Sequence, residues 1–273
     1  MSGVPGLTLR RVAKYFEVLR VTLQNRLAYF QDQLFRATFM ALVVFVFIQL
    51  WRTTYRVTGR PEFSGFDLNG MIWYLVMTET IITSTPRFQG RIDSDVRSGD
   101  LAYALSKPYN YLAFNYFGYL GEALFLLPIN LIVGGTVAWL SVGGFRFEPL
   151  ALPAAFASVV LSLSINFFLA AAVGLLAFWL EDTSGLFLVL DRAQWILGGL
   201  LLPIELFPTG LRKLAQVLPF GSVIGGPARL AVKFSWTGFG DLVPKQLAWL
   251  AVLALTASGI YRAGVRRVNA NGG

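Results

Sequence analysis

The sequence predicts an all-α, polytopic integral membrane protein. It has six transmembrane helices, an N-terminal amphipathic interfacial helix and a re-entrant hairpin between spans five and six. Composition is the first reason: of 273 residues, 55% are hydrophobic and only 14% charged, where a soluble domain carries about 25% charged residues. The second is a mean hydropathy of +0.60. The third is pattern, since charge-free apolar runs recur along the chain, with 12 Pro and 27 Gly scattered along it. There is no internal repeat, low-complexity tract or soluble domain, so residues 1–273 read as one transmembrane unit.

The amphipathic helix covers residues 8–33. Val12, Phe16, Leu19, Leu23, Leu27, Phe30 and Leu34 recur at spacings of three and four, with Arg10, Arg11, Lys14, Arg20 and Arg26 on other faces. Such a helix lies along the inner leaflet before turning into span one. A plain solvated basic helix is the alternative, and the regular stripe argues against it. The charged stretch is too long for a signal peptide, and no small-residue cleavage site follows a short apolar core.

A helix needs about 20 mainly apolar residues to cross a core of roughly 30 Å. Span one is uncharged from Ala37 to Trp51, is extended by Leu34 and Phe35, and lies between Arg36 and Arg52, which can snorkel. Span two runs from about Leu68 to Pro86, broken only by Glu79. Span three lies between Lys107 and Arg146 with Glu122 as its one charge, and span four fills Pro149 to Leu180 with none. Span five starts near Gly185 and holds Asp191 and Arg192, a local or interhelical ion pair; span six is Leu242 to Tyr261, clean after Lys245. Residues 203–235 imitate a seventh span, but Pro203, Pro208, Pro219, Pro227, Arg212, Lys213 and Arg229 interrupt them. Irregular backbone at membrane depth must be covered by protein or line a wet cavity, so this stretch reads as a re-entrant or interfacial hairpin.

Orientation follows from basic residues near the span ends. Most of the 23 Lys and Arg share one side with both termini: Arg10, Arg11, Lys14, Arg20, Arg26, Arg36, Arg87, Arg91, Arg97, Lys107, Arg192, Arg262, Arg266 and Arg267. Both termini are therefore expected in the cytoplasm. The net charge of +8 reads as topology, with no nucleic-acid partner implied. Trp51, Trp139, Trp179 and Trp236 fall at span ends, as interfacial anchors do.

The chain has no Cys and no His. Disulfides, thiolate nucleophiles, iron–sulfur clusters and Cys-containing zinc sites are excluded, as are Ser-His-Asp triads, His-ligated haem and H-E-x-x-H sites. No G-x-x-x-x-G-K-[ST] stretch is present, so the chain holds no P-loop. No metal site is expected.

Two groups of residues stand out. In the loop 91–108, Gly99 can take a left-handed turn, Asp100 can cap the next helical turn, and Pro108 closes it. The product is a stiff, charged elbow suited to docking in a partner's groove, with an ordinary solvated loop as the alternative. Within the spans, Glu79, Glu122, Asn130 and Asn166 are the conspicuous polar residues. A charge at mid-membrane costs about 2.5–3.5 kcal/mol on insertion scales, so such residues face the protein interior. They either line a substrate route or subunit seam, or make interhelical hydrogen bonds worth about 0.6 kcal/mol each. The second reading suits Asn130 and Asn166 better. Gly134-Gly135 and Gly198-Gly199 allow close helix approach.

The order of these features resembles the permease subunits of ABC-2-type ATP-driven transporters. Asp95-Val96-Arg97-Ser98-Gly99-Asp100-Leu101 followed by Pro108 is similar to that family's segment before span three. Gly198-Gly199-Leu200-Leu201-Leu202-Pro203-Ile204-Glu205-Leu206-Phe207-Pro208, then Leu218-Pro219-Phe220 and Pro227, is similar to its segment between spans five and six. The likeness covers nearly the whole chain, and the nearest branch is the one described as ABC-2 family transporter proteins.

The resemblance implies a single transmembrane domain over 1–273 in the bacterial cytoplasmic (inner) membrane. It implies pairing with a second permease, as homodimer or heterodimer, and a separate ABC ATPase subunit that holds ATP and Mg. This chain would carry no cofactor and no catalytic residue. Asp95, Arg97, Gly99, Asp100 and Leu101, with Glu181 and Asp182 beside them, would couple the ATPase to the spans. Pro203, Glu205, Phe207, Pro208, Pro219 and Phe220 would form an outer hairpin shaping the exit. The cargo would be amphiphilic or hydrophobic: a drug, a lipid or a hydrophobic peptide. The alternative is a stand-alone proton-coupled transporter or channel using Glu79 or Glu122. A lipid-modifying enzyme is a third class, disfavoured because no paired-carboxylate motif is present.

Overall fold

Long apolar runs become helices because only a helix satisfies every backbone N–H and C=O within one segment when water is absent. The computed structural model describes residues 5–86, 88–144, 148–149 and 151–271, with the side chains of 5–12, 32, 89 and 268–271 outside that description. Arg87 and the side chains of Arg10, Arg11 and Val12, used in the expectations above, thus lie outside the described residues. The helices are α1 (Pro5–Leu27), α2 (Phe30–Thr58), α3 (Leu68–Thr83), α4 (Gln89–Ser98), α5 (Asp100–Leu105) and α6 (Tyr111–Val142). They continue with α7 (Ala151–Gly174), α8 (Ser184–Leu197), α9 (Thr209–Val217), α10 (Phe220–Val223), α11 (Gly225–Val232) and α12 (Trp236–Asn271). Asp67 caps α3 by accepting from the Gly70 N–H at 2.8 Å, and Asn110 caps α6 by accepting from Ala113 at 2.9 Å.

The central post is α6. Helices α1 and α2 follow it in succession and in the same direction. Lys14 donates to the Pro108 carbonyl at 2.7 Å, Leu23 and Ala37 pack with Phe125, Leu126 and Ile129, and Arg52 reaches the Ser141 carbonyl at the far end. A Cβ on Gly121 would stand 2.7 Å from the Leu19 carbonyl oxygen, so glycine is what lets α1 approach this closely. Leu19 and Leu23 are seated by this contact, whereas Phe16 and Leu27 remain exposed. The amphipathic stripe is therefore partly used against α6. The helix also ends at Leu27, short of the expected residue 33, because a turn at 28–29 separates it from α2.

Among the described residues, four helical segments are long and apolar enough to cross a membrane unaided: Gln33–Thr58, Tyr111–Val142, Ala151–Phe178 and Trp236–Arg267. The segments expected as spans two and five are shorter. With 16 and 14 residues, α3 and α8 measure about 24 and 21 Å. Helix α3 ends at Thr83, and α4 starts at Gln89 and packs on α7. Asn69 donates to the Val142 carbonyl at 3.1 Å at one end of α6, and the Tyr111 hydroxyl donates to Asp95 at 2.6 Å at the other. Helix α3 lies along α6, and α4, seated on α7, touches the start of α6 through Asp95.

The other half of the bundle is α7 against α12, with α10 and α11 inserted between α3, α7 and α12. Buried side chains form several clusters. One joins Met40, Val44, Ile48 and Trp51 of α2 to Met71, Ile72 and Val76 of α3 and to Ala228 of α11. Another seats Phe88, Ile92 and Leu101 against Leu112, Leu163, Phe167 and Leu175. Trp51 is thus a core residue at 6% exposure, unlike Trp139, Trp179 and Trp236, which are exposed.

Candidate functional site

The elbow after α4 is built from local turn chemistry and anchored by apolar residues. Gly99, at φ 81°, ends α4 in the left-handed region that glycine enters without a Cβ penalty, and α5 starts at once. Ile92 and Leu101 are fully or almost fully buried and fix both arms to α6 and α7. On the exposed side Arg97 pairs with Asp93 one turn earlier at 2.9 Å and reaches Asp182, in the turn after α7, at 3.7 Å. The Thr183 hydroxyl donates to Asp93 at 2.7 Å, locking the same turn. Asp182 also accepts from the Ser184 N–H at 2.9 Å and its hydroxyl at 2.7 Å. Those two donors, then Arg97, hold its carboxyl below its ordinary 3.8.

Asp95, Arg97, Gly99, Leu101 and Asp182 therefore belong to one platform. Asp100 accepts from the Ser98 hydroxyl at 2.8 Å within the elbow, and Glu181 is exposed at its edge. Sequence reading missed Asp93, Thr183 and Tyr111. Asp93 was findable, because an acid four residues before a base on a helix is a stabilising pair; the other two contacts are long-range.

The four intramembrane candidates occupy separate contact sets. Glu122 is paired with Arg26 of α1 at 2.6 Å. Asn130 donates to the Ser84 hydroxyl at 3.0 Å, tying α6 to the end of α3. Asn166 donates to the Tyr119 hydroxyl at 3.2 Å and accepts from Gln194 at 2.6 Å, joining α6, α7 and α8. Glu79 is buried on α3 at 6% exposure. One polar knot escaped the sequence altogether. Gln246 of α12, fully buried, donates to the Ser162 hydroxyl at 3.0 Å and the Ser222 carbonyl at 2.8 Å, and accepts from Ser158 at 3.0 Å.

At the opposite end from the elbow, residues 203–235 fold as a chain of short helices. Pro203, Pro208 and Pro219 each stand immediately before a helical turn, where a fixed φ is favourable. Phe207 and Phe220 are buried. Glu205 pairs with Arg229 at 2.6 Å, and Arg212 donates to the carbonyls of Glu205 and Phe207. The turn before this stretch is tied to α3, since the Tyr74 hydroxyl donates to the Gly199 carbonyl at 2.6 Å and Thr78 to that of Leu200 at 2.7 Å.

A family model described as ABC-2 family transporter protein matches residues 39–272. No curated protein matches the chain.

Proposed function

The chain belongs to the ABC-2 transporter family, and from that membership we propose that it is the membrane-spanning permease subunit of an ATP-driven exporter. Membrane domains of this family are transport subunits without catalysis of their own, and they generally work with ABC ATPase partners. In this reading a separate subunit binds ATP and Mg, a second permease completes a homodimer or heterodimer, and both termini face the cytoplasm of a bacterium. Six spans are counted, with α3 continued by α4 as span two and α8 as span five; residues 203–235 form a re-entrant hairpin on the outer face.

The observation that carries the reading is the elbow platform. Closure of the ATPase subunits has to be transmitted through a stiff element. Arg97, held by Asp93 and reaching Asp182, links the α4–α5 elbow to the turn that starts α8. A push on the elbow then moves α3–α4 and α8 together, which is what a switch between inward-open and outward-open states needs. The cargo leaves past the hairpin. The stand-alone proton-coupled alternative retains Glu79, while Glu122 is already committed to Arg26.

Mild-detergent purification from native membranes, with mass spectrometry and an ATP hydrolysis assay, tests the assignment. A stoichiometric P-loop subunit with vanadate-sensitive turnover is expected; repeated isolation of the chain alone overturns it. Replacing Arg97 and Asp100 together with alanine should abolish transport while membrane insertion is retained. Unchanged transport in that variant removes the coupling role.

A further inference from the structure

A cavity of about 270 Å³ opens between the hairpin and the first turns of α12. Its wall carries five charged side chains, Glu205, Arg229, Lys233, Asp241 and Lys245. Glu205 and Arg229 neutralise each other at 2.6 Å. Lys233 donates to the Gly65 carbonyl at 2.9 Å. An ammonium has three donors, so this bond orients Lys233 and leaves two N–H groups for a ligand. Asp241 and Lys245 are exposed one turn apart on the face of α12 that lines the cavity. The charge left for a ligand is two ammonium groups against one carboxylate. That set complements a phosphate with an amine beside it.

Size and surroundings narrow the class further. Pockets that enclose a whole drug-sized molecule run to roughly 300–1,000 Å³, so this cavity suits a headgroup with its tail outside. Phe234, Trp236 and Phe239 cluster at the start of α12, with ring centroids 5.2 and 6.2 Å apart, and Trp236 is 66% exposed. Exposed aromatics of this kind sit at the headgroup level of a bilayer.

We propose that this cavity binds the phosphate-bearing headgroup of an amphiphile, with the phosphate on Lys233 and Lys245 and an amine, where the headgroup has one, on Asp241. The inference rests on the exporter reading and deepens it, naming the class of molecule met at the outer end of the route.

The test titrates the purified full-length chain, in mild detergent and without ATP, with four probes: short-chain phosphatidylethanolamine, short-chain phosphatidic acid, short-chain diacylglycerol and inorganic phosphate. Both phospholipids should bind at least tenfold more tightly than diacylglycerol or phosphate. Lys245→Gln should weaken both phospholipids about tenfold, the scale of one charged hydrogen bond. Asp241→Asn should weaken phosphatidylethanolamine alone. Equal binding of diacylglycerol overturns the phosphate assignment, equal binding of inorganic phosphate overturns the amphiphile, and an unchanged affinity in Lys245→Gln overturns the site. Both substituted residues are exposed, and the wild-type discrimination among probes stands whether or not a variant folds. Binding is read without a partner, so a missing ATPase defeats only the exporter reading, and loss of probe discrimination defeats only this one.

Discussion

Arg26 and Glu122 meet at 2.6 Å with side chains 44% and 25% exposed, so both ends of the pair are only partly covered by protein. Exposed pairs contribute about 0.2–1 kcal/mol. Removing one partner costs more, because the remaining charge must be solvated on an apolar helix. Arg26→Ala should therefore lower stability in detergent by about 1–2 kcal/mol, and Glu122→Gln by less, since a neutral amide tolerates the site. The exchanged pair Arg26→Glu with Glu122→Arg should recover most of the loss, as read by thermal unfolding of the purified chain. If the exchange recovers nothing, the contact between α1 and α6 rests on its packing, Leu19 on Gly121 and Leu23 on Phe125 and Leu126, rather than on the ion pair. The acid was visible in the sequence as an unexpected charge in an apolar run, but its partner lies far away in the chain and was not. Gln246 shows the same limit, because Ser158, its partner on α7, is 88 residues distant.

Among the elements, the elbow was the most legible. Gly99 and Pro108 act on their immediate neighbours through φ and a missing N–H, so residue order alone encodes them. The expected cap by Asp100 does not form, because Gly99 holds the N-cap position of α5 and the Asp100 carboxylate accepts from the Ser98 hydroxyl instead. The lengths of α3 and α8 were less so, because hydropathy records that a stretch is apolar without recording where its helix bends. Only long-range contacts, Asp95 with Tyr111 and α4 on α7, reveal where the chain goes after α3. The interruption of residues 203–235 into short helices was legible for the opposite reason, since their prolines forbid one continuous helix. Gly99 supplies the prediction at this scale. A side chain at φ 81° costs about 1–2 kcal/mol, and Gly99→Ala can relieve it only by re-aiming α5 relative to α4. The expected outcome is normal insertion and ATPase binding with transport per ATP hydrolysed reduced several-fold in reconstituted vesicles. Wild-type coupling in that variant would show that the angle between the two short helices is not transmitted.

For the molecule as a whole, the open question is how two short helices share a bilayer with four long ones. A helix shorter than the hydrocarbon core can cross by local thinning or by extension through flanking segments, at a modest cost per ångström. In the proposed topology the extension of α3 is α4, with Asn69 bonded to the far end of α6 and Asp95 to its first residue. The inner end of α8 is fixed where Thr183 meets Asp93, and the turn after it where Gly199 meets Tyr74, with the hairpin filling the remaining depth. The proposed six-span topology puts Glu181 and Lys213 on opposite sides of the membrane. A four-span chain, in which α3–α4 and α8 do not cross, puts them on the same side. The native sequence contains no cysteine, so single cysteines introduced at these two exposed positions report without background. Glu181→Cys should react with a membrane-impermeant maleimide only after permeabilisation, and Lys213→Cys should react in intact cells. Labelling of both from outside would remove span two and span five together, and with them the cytoplasmic position that the elbow needs to meet an ATPase.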